Sequence, residues 1–305
     1  MNIDIHAHLD DATISEIRSL IHSATTHDDL APLSEHVMLH VASGGDDSDE
    51  HLLARLDGEL VGYLHLDQTD LVAGPSVELV VHPEHRRKGV GTQLVKTSMD
   101  RAHDARLRLW AHGELDSAYQ LAAHLGFQKT RELWQMRRSL LAALPRVQAP
   151  DGITLRTFQP GDESAWLALN ALVFAEHPEQ GRMELSDLQV RMNESWFDPQ
   201  GFLIAMRGND MVGFHWMKIH GSKRSGGHGH ADIGEIYVLG VSPSERGTGL
   251  GRHLAAAGLS HMREQDLSAA MLYVDADNTA ARALYESLGF LHWDTDVMYA
   301  RPAAG

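Results

Sequence analysis

The chain has 305 residues, of which 43% are hydrophobic, and its formal net charge is -16. This length is typical of two domains, each with enough apolar residues for its own core. The negative charge disfavours nucleic acid and anionic membranes as partners, and the absence of cysteine excludes disulfides and thiolate chemistry. The sequence begins without the basic and apolar segments of a signal peptide, and no apolar run is long enough to cross a bilayer. We therefore expect a soluble cytoplasmic protein.

One structural unit is repeated along the chain. In each copy an apolar strand ends at a proline turn, a glycine-rich loop follows, and an amphipathic helix begins after the loop. The prolines of the two turns, Pro83 and Pro243, lie 160 residues apart, so the repeat has the size of a domain. We predict the two helices over 92–105 and 252–265, the next strands over 106–111 and 270–274, and the closing strand of each copy over 132–137 and 296–300.

Other features recur in both halves. A short helix in each half ends in Leu-Gly-Phe, where Gly126 and Gly289 are predicted helix C-caps with positive φ. A β-hairpin is predicted over 54–63, with an Asp-Gly turn, and a matching hairpin over 203–214. The segment 144–152 has the composition of a linker. We therefore predict two mixed α/β domains, over 1–144 and 152–305.

Each glycine loop has the composition of a pyrophosphate-binding site. The first turn of a helix offers N–H groups without intrahelical partners and the positive end of the helix dipole, and glycines allow close approach to the backbone. One such loop alone is also compatible with a tight turn, or with a dinucleotide-binding motif if an acidic residue follows in a parallel βαβ unit. The two loops are Arg86-Arg87-Lys88-Gly89-Val90-Gly91 and Arg246-Gly247-Thr248-Gly249-Leu250-Gly251.

The complete string of elements, found twice, resembles the GNAT (Gcn5-related N-acetyltransferase) family. The resemblance implies an α/β fold, an α+β mixed sheet in two tandem GNAT domains, with acetyl-coenzyme A (acetyl-CoA) as cosubstrate. It also implies that the strand before each loop parts from its neighbour and pairs with the pantetheine arm. The implied cofactor-binding residues are Leu79, Val80, Val81, Arg87, Lys88, Gly89, Val90, Gly91 and Thr92 in the first copy, and Leu239, Gly240, Val241, Arg246, Gly247, Thr248, Gly249, Leu250, Gly251, Arg252, Asn278, Thr279, Ala280, Ala281, Arg282 and Ala283 in the second.

The two copies differ in the residues that acetyl transfer requires. The reaction needs a base for the amine, a donor for the thioester oxygen and an acid for the thiolate. In the second copy the resemblance implies Glu235 as the base and Tyr285 as the acid, and the alternatives are a solvated strand end and a core aromatic. In the first copy Glu78 is available as a base, but no tyrosine matches Tyr285. We therefore predict that the first domain binds coenzyme A without catalysing the reaction.

Further segments, 177–181, 213–218 and 234–241, are similar to a two-domain subgroup of the family. Its members acetylate the cysteine amine of cysteinyl-glucosaminyl-inositol, a small molecule with one ammonium and many hydroxyls. For that acceptor the resemblance implies a binding set of Glu35, Glu179, Lys218, Glu235 and Tyr273. Each of these residues has an alternative interpretation as a surface or core residue. A different small amine or peptide acceptor and a non-catalytic acyl-CoA-binding module stay open as alternative functions.

The 21 histidines form no recognisable metal motif in the sequence. His6 and His8 are a close pair, as are His228 and His230, but no acidic or histidine partner stands at ligand spacing, so we expect no metal. The segment 220–230 resembles an insertion and predicts a flexible loop that acts as a lid over the acceptor. Because each chain already pairs two domains, we expect a monomer without a nucleic-acid or membrane partner.

Overall fold

A computed structural model describes residues 1–45, 49–69, 74–102, 106–175, 180–194, 196–220 and 233–301. The chain divides into two compact units, of which the first contains Met1–Leu133 and Asp294–Gly305 and the second contains Trp134–Trp293. The domain boundaries expected from the sequence, 1–144 and 152–305, stay a prediction. Among the described residues, no helix is long and apolar enough to span a membrane.

The first unit contains a mixed sheet in the strand order β1-β2-β3-β4-β5-β12. Helices α1 and α2 pack on the face that contains Tyr63, whereas α3 and α4 pack on the opposite face, which contains Leu64. The strands are β1 (Asn2–His6), β2 (Asp49–Leu56), β3 (Glu59–Asp67), β4 (Ser76–Val81), β5 (Arg108–Ala111) and the part of β12 (Leu291–Ala300) that starts at Asp294. The helices are α1 (Asp11–Asp28), α2 (Glu35–Ser43), α3 (Val90–Arg101) and α4 (Asp116–His124).

The second unit repeats this arrangement in the strand order β6-β11-β10-β9-β8-β7. One core contains Trp166 of α5 and Trp216 of β9, and another contains Leu259 of α7 and Leu272 of β11. The strands are β7 (Ile153–Thr157), β8 (Phe202–Arg207), β9 (Asp210–His220), β10 (Ile233–Val241), β11 (Ala269–Asp275) and the part of β6 (Gln128–Ser139) that starts at Trp134. The helices are α5 (Glu163–Val173), α6 (Leu185–Met192), α7 (Leu250–Glu264) and α8 (Thr279–Ser287).

The predicted hairpins and helix ends are confirmed. Asp57 and Gly58 both have positive φ, 52° and 89°, as a tight two-residue hairpin turn requires. Gly126 and Gly289 follow α4 and α8 with φ of 80° and 85°. Helices α3 and α7 each begin two residues earlier than predicted, because a glycine in the left-handed region serves as the N-cap directly before Val90 and Leu250.

The expectation that each copy supplies its own closing strand is wrong. The predicted strand 296–300 belongs to the first unit, where Val297 pairs with Ala111 of β5. The part of β6 from Trp134 onward belongs to the second unit. An alternating apolar pattern specifies which face of a strand is buried, but it does not specify the neighbouring strand when two sheets are alike.

In each unit one glycine of the hairpin allows the helix after the glycine loop to lie close against the sheet. A Cβ on Gly62 would lie 2.8 Å from Cγ1 of Val90, and a Cβ on Gly213 would lie 2.9 Å from Cδ1 of Leu254. Neither glycine has a positive φ, so the space and not the backbone conformation requires glycine here. The helix that carries each loop is therefore fixed by close packing.

We predict that Gly62→Ala and Gly213→Ala each lower the free energy of unfolding by about 1 to 3 kcal/mol, because the added methyl overpacks the helix–sheet contact. Urea unfolding followed by circular dichroism measures the change. Gly201→Ala is the matched control, since its Cβ would meet no atom nearer than 3.7 Å. Equal midpoints for all three variants and the unmodified chain would contradict the packing argument.

Candidate active site

In the second unit two parallel strands part beside the glycine loop. Strands β10 and β11 pair from Ile233 with Ala269 to Ile236 with Leu272, and within the described residues their pairing ends there. A bulge follows directly in the ladder between β10 and β9, between Ile236 and Val238. Strand β10 then continues to Val241 while paired to β9. The edge of 239–241 that faces away from β9 can therefore pair with an extended ligand.

The first unit has the same opening. Strands β4 and β5 pair only at Ser76 with Arg108 and Val77 with Leu109 among the described residues. A cavity of about 530 Å³ lies beyond this point, between β4, the loop and α4. Every residue that the sequence assigns to cofactor binding in this copy lines the cavity, apart from the exposed Lys88. The cavity therefore has the position that a bound coenzyme A requires.

The two glycine loops have the same backbone conformation. Gly89 and Gly249, the N-caps of α3 and α7, have φ of 87° and 89°. Two residues earlier, Arg87 has φ of 61° and Gly247 has φ of 79°. A non-glycine residue in this region costs about 1 kcal/mol or more, so the second loop adopts the turn with less strain. Both loops end at the N-terminus of a helix, which is suited to bind pyrophosphate.

Side chains hold the first loop more firmly. Arg86 donates two hydrogen bonds to Asp28, at 2.7 and 2.6 Å, and one to the carbonyl of Val81. Nη1 of Arg87 donates to Gln120 of α4 at 2.5 Å. In the second loop the side chains of Arg246 and Arg252 are exposed. Nη2 of Arg252 donates to the carbonyl of Ser287 at 3.5 Å, and the role of both arginines at a phosphate stays a prediction.

The later helix α8 also follows the sequence prediction in its position. Oδ1 of Asn278 accepts a hydrogen bond from the backbone N–H of Ala281 at 3.1 Å and so caps the helix. Nη1 of Arg282 donates to the carbonyl of Ala276, and its guanidinium lies 3.7 Å from the ring centre of Trp134. The side chain of Arg282 therefore has a structural role within the unit besides its predicted role at the cofactor.

Glu235 lies just before the opening between β10 and β11. Its side chain is 7% exposed, and its Oε2 lies 2.6 Å from Nε2 of His220. Lys218 is its direct partner in the ladder between β9 and β10. Lys218 and His220 are two residues apart on β9 and so lie on one face of the sheet. The arrangement combines a buried carboxylate with two basic side chains.

Lys218 is 6% exposed, and Nζ lies 4.8 Å from the ring centre of Trp196 and 5.6 Å from that of Tyr237. Burial lowers the pKa of Lys218 to about 8, although the charge of Glu235 opposes the shift. The aromatic rings and the carboxylate of Glu235 therefore offset only part of the cost of burying the ammonium. A lysine in this state changes its charge near neutral pH.

Tyr285 packs in the core of the second unit. It is 8% exposed and meets the ring of Phe290 at 5.8 Å in a T-shaped contact. Burial raises the pKa of Tyr285 to about 12, so the phenol keeps its proton at neutral pH. The packing agrees with the interpretation as a core aromatic, and the role as acid stays a prediction.

The remaining residues predicted to bind the acceptor belong to different segments of the chain, and their common role stays a prediction. Tyr273 is 40% exposed, and its hydroxyl accepts a hydrogen bond from Nε2 of Gln135 at 2.8 Å. Glu35 begins α2 in the first unit. Glu179 lies outside the described residues, and so does the predicted lid loop after His220.

Sequence reasoning missed the neighbours of Glu235. His220, Trp196 and Tyr237 surround the pair formed by Glu235 and Lys218. The sequence could have indicated His220, because His220 lies two residues after Lys218 on β9 and therefore shares its face of the sheet. Trp196 had no such signal, since it lies in a loop after α6 and reaches the lysine only through the tertiary fold.

In the first unit Glu78 is engaged by three groups. Its carboxylate accepts hydrogen bonds from the backbone N–H of Ser34 at 2.6 Å and from the Ser34 hydroxyl at 2.7 Å. It also lies 3.1 Å from Nε2 of His112, whose Nδ1 lies 3.1 Å from Asp296. Burial alone would raise the pKa of Glu78, but the hydrogen bonds from His112 and Ser34 outweigh it and lower the pKa. Glu78 is therefore a fixed anion.

His112 is the cation between these two carboxylates. Burial alone would lower the pKa of His112, but the hydrogen bonds with Asp296 and Glu78 raise it to about 10. Glu78, His112 and Asp296 thus form a charged network, and His112 is the member that lines the cavity.

The comparisons with known proteins agree with this geometry. The family model described as "Acetyltransferase (GNAT) family" matches residues 14–127 and 166–290, so the chain belongs to the GNAT acetyltransferase family and contains two tandem GNAT domains. Enzymes of this family are acyltransferases that use acetyl-CoA as cosubstrate.

Two relatives and one solved structure cover nearly the whole chain. Mycothiol acetyltransferase of Acidothermus cellulolyticus is 51% identical in a match that covers 99% of this chain and 95% of that protein. Mycothiol acetyltransferase of Streptosporangium roseum is 47% identical in a match that covers 98% of this chain and 99% of that protein. A tandem GNAT protein from the clavulanic acid biosynthesis pathway has a TM-score of 0.73 at 20% identity and covers 100% of this chain and 99% of that one, which supports the fold.

We predict that His112→Gln lowers the free energy of unfolding by about 3 kcal/mol at pH 6, because it leaves two buried carboxylates without their cation. The pKa of His112 is about 10 in the folded chain, above its usual value of about 6.5. The contribution of His112 to the free energy of unfolding is therefore fully present below pH 6.5 and is lost as the pH rises through 10. The difference between the variant and the unmodified chain should therefore shrink from pH 6 to pH 10.

Urea unfolding at both pH values measures this difference, with the exposed His22→Gln as control. A difference that is constant over this range would show that His112 does not hold its proton in the folded chain.

Proposed function

We propose that this chain is a mycothiol acetyltransferase that transfers the acetyl group of acetyl-CoA to the cysteine amine of cysteinyl-glucosaminyl-inositol. The observation that carries the proposal is Glu235, a buried carboxylate placed where β10 and β11 part beside the second glycine loop. The 51% identity to a mycothiol acetyltransferase over 99% of the chain supports this acceptor. The product is mycothiol, a low-molecular-weight thiol.

In this proposal the second unit binds acetyl-CoA. Its pyrophosphate lies at the N-terminus of α7, against the backbone of 247–251, with Arg246 and Arg252 beside it. Its pantetheine arm pairs with the free edge of 239–241. The reacting thioester then lies near the point where the strands part, which brings it to Glu235.

Glu235 acts as the base. The acceptor amine is an ammonium in water and must lose a proton before it attacks the thioester carbonyl. Glu235 takes that proton, directly or through one water, and His220 accepts a hydrogen bond from the protonated carboxyl or passes the proton to solvent. Lys218 assists because a nearby positive charge lowers the pKa of the acceptor amine. The amine then attacks the thioester carbonyl, the C–N bond forms and the C–S bond breaks. The attacking nitrogen gives up its second proton, and the coenzyme A thiolate takes up one proton through solvent to become the thiol.

Tyr285 donates a hydrogen bond to the leaving sulfur. A phenol with a pKa of about 12 is a weaker acid than a thiol, whose pKa is about 8.5, so complete proton transfer to a free thiolate is uphill. The hydroxyl stabilises the sulfur while negative charge develops on it, and the proton that Glu235 has taken leaves to solvent. Glu235 therefore carries more of the rate acceleration than Tyr285.

The first unit serves as a cofactor-binding domain without chemistry. Its cavity and glycine loop suit coenzyme A, but Glu78 is bound by Ser34 and His112 and cannot approach an amine. The sequence offers no tyrosine at the place of Tyr285. A cytoplasmic location and a monomeric state are part of the same proposal and rest on the sequence alone.

We predict that Glu235→Gln lowers kcat about 100-fold to 10,000-fold, because glutamine keeps the size of the side chain but cannot accept the proton. Tyr285→Phe should lower kcat by a smaller factor, of about 10-fold to 100-fold. Release of coenzyme A thiol from acetyl-CoA and cysteinyl-glucosaminyl-inositol measures both rates.

The matched control is Glu264→Gln, an exposed glutamate at the end of α7. Turnover of another amine but not of the pseudo-disaccharide would favour a different acceptor. Full function of a strain carrying Glu235→Gln would favour a non-catalytic acyl-CoA-binding module.

A second prediction separates the two cofactor sites through equivalent glycines. Gly251→Val should raise the KM for acetyl-CoA at least about tenfold, because its side chain occupies the space that the pyrophosphate needs. Gly91→Val is the same change in the first loop, and it should leave the KM for acetyl-CoA unchanged. In a calorimetric titration with acetyl-CoA, this variant should bind one molecule fewer per chain than the unmodified protein. An increased KM for Gly91→Val alone would place the reaction in the first unit.

A further inference from the structure

Histidines and aspartates form a cluster in the first unit, apart from both glycine loops. His36 and His40 lie one turn apart on α2 and therefore share a face of the helix. Their rings approach to 4.5 Å between centres, and the ring of His40 lies 5.3 Å from that of His65 on β3. The helix thus presents two imidazoles to the hairpin formed by β2 and β3.

The hairpin supplies the remaining members. Asp49 pairs with Asp67 in the ladder, and His51 pairs with His65 two residues further along. Residues two apart on a strand lie on one face, so these four side chains point to the same side of the sheet. The rings of His51 and His65 lie 5.3 Å apart. Three separate segments of the chain therefore bring metal-binding side chains to one place.

The centre of the cluster is the buried carboxylate of Asp49, which is 1% exposed. Its Oδ2 lies 3.2 Å from Nε2 of His65 and is in direct contact with Nδ1 of His40. One ligand atom from each of these three residues lies within 4.8 Å of the others. Four tetrahedral ligands at about 2.0 to 2.1 Å from Zn²⁺ are separated by about 3.3 Å, so a small outward shift would admit the ion.

The charge of the cluster also suits a cation. Asp49 is almost fully buried, and its Oδ2 faces the rings of His40 and His65. A buried anion is costly unless a cation or several donors neutralise it. His40 is partly exposed, and so a metal ion can reach Asp49 from solvent on its side.

We propose that His40, Asp49 and His65 form a binding site for one divalent transition-metal ion of the Zn²⁺ type, with solvent or a neighbouring imidazole as the fourth ligand. Two imidazoles and one carboxylate suit Zn²⁺, whereas Mg²⁺ and Ca²⁺ prefer a shell of oxygen atoms. The site has a structural role, because the ion ties α2 to the hairpin. Helix α2 also follows Ser34, which binds Glu78, and carries Glu35 at its first position.

The alternative is an ion-pair cluster in which protonated His40 and His65 neutralise Asp49 without a metal. The two states differ in what they bind, and so a direct binding measurement separates them. The inference does not depend on the proposed function, because the cluster and the acetyl-transfer residues belong to different units.

The test is calorimetric titration of the untagged full-length chain with Zn²⁺, in competition with a chelator. His228 and His230 are replaced by glutamine throughout, so that the histidine-rich segment does not compete for the ion. We expect one Zn²⁺ per chain, at least about 100-fold weaker binding in Asp49→Asn and His65→Gln, and no change in His22→Gln, an exposed histidine on α1. Co²⁺ in place of Zn²⁺ should give the intense visible absorption of a tetrahedral site.

His40→Gln is the second variant, because its partly exposed side chain is less needed for folding than the buried His65. It should weaken Zn²⁺ binding at least about tenfold while circular dichroism and acetyl-CoA binding stay unchanged. If the parent chain binds Zn²⁺ no more tightly than the triple variant His40→Gln, Asp49→Asn, His65→Gln, the proposal is overturned and the ion-pair cluster remains. Equal Zn²⁺ affinity in His40→Gln and the parent chain would also overturn it.

Discussion

The parting of two parallel strands is the constraint on which the site in each unit depends. In the second unit the ladder between β10 and β11 ends at Ile236, directly before a bulge in the ladder with β9. A strand that leaves its neighbour exposes one row of backbone donors and acceptors, and an extended ligand can satisfy them. The glycine loop then starts a helix beside this edge. The backbone thus recognises the cofactor along its length, and few charged side chains are needed in a chain of net charge -16.

The two units have the same opening between parallel strands, but the carboxylate beside it has different surroundings in each unit. Glu235 lies before the point where the strands part, next to Lys218 and His220. Glu78 lies directly after the corresponding point and is held by Ser34 and His112. Both oxygens of Glu78 accept hydrogen bonds from Ser34, and such bonds weaken a carboxylate as a base, whereas His220 contacts Oε2 of Glu235. The two units share the backbone of the glycine loop and of the parted strands, whereas the side chains around the carboxylate differ, and the proposal that only the second unit catalyses the reaction rests on that difference.

The buried polar groups of the first unit form two separate networks. Glu78, His112 and Asp296 lie at the cofactor cavity, and Asp49 with its histidines lies between α2 and the hairpin. Both networks neutralise buried carboxylates, but one contains its own cation and the other offers ligands for one. The first unit, for which we propose no catalysis, therefore contains two strongly constrained polar sites.

The sequence by itself determined the repeat, the fold of each unit, the glycine loops and the hairpin turns, because these depend on local backbone requirements and on short periodic patterns. Gly58, Gly126 and Gly289 are examples, since each needs a positive φ that its neighbours in sequence predict. The tertiary structure alone decided which sheet each closing strand joins, that Glu78 is occupied, that Trp196 covers Lys218, and that His40, Asp49 and His65 meet. These features depend on contacts between segments far apart in sequence, and no local pattern specifies which distant side chain will become a neighbour.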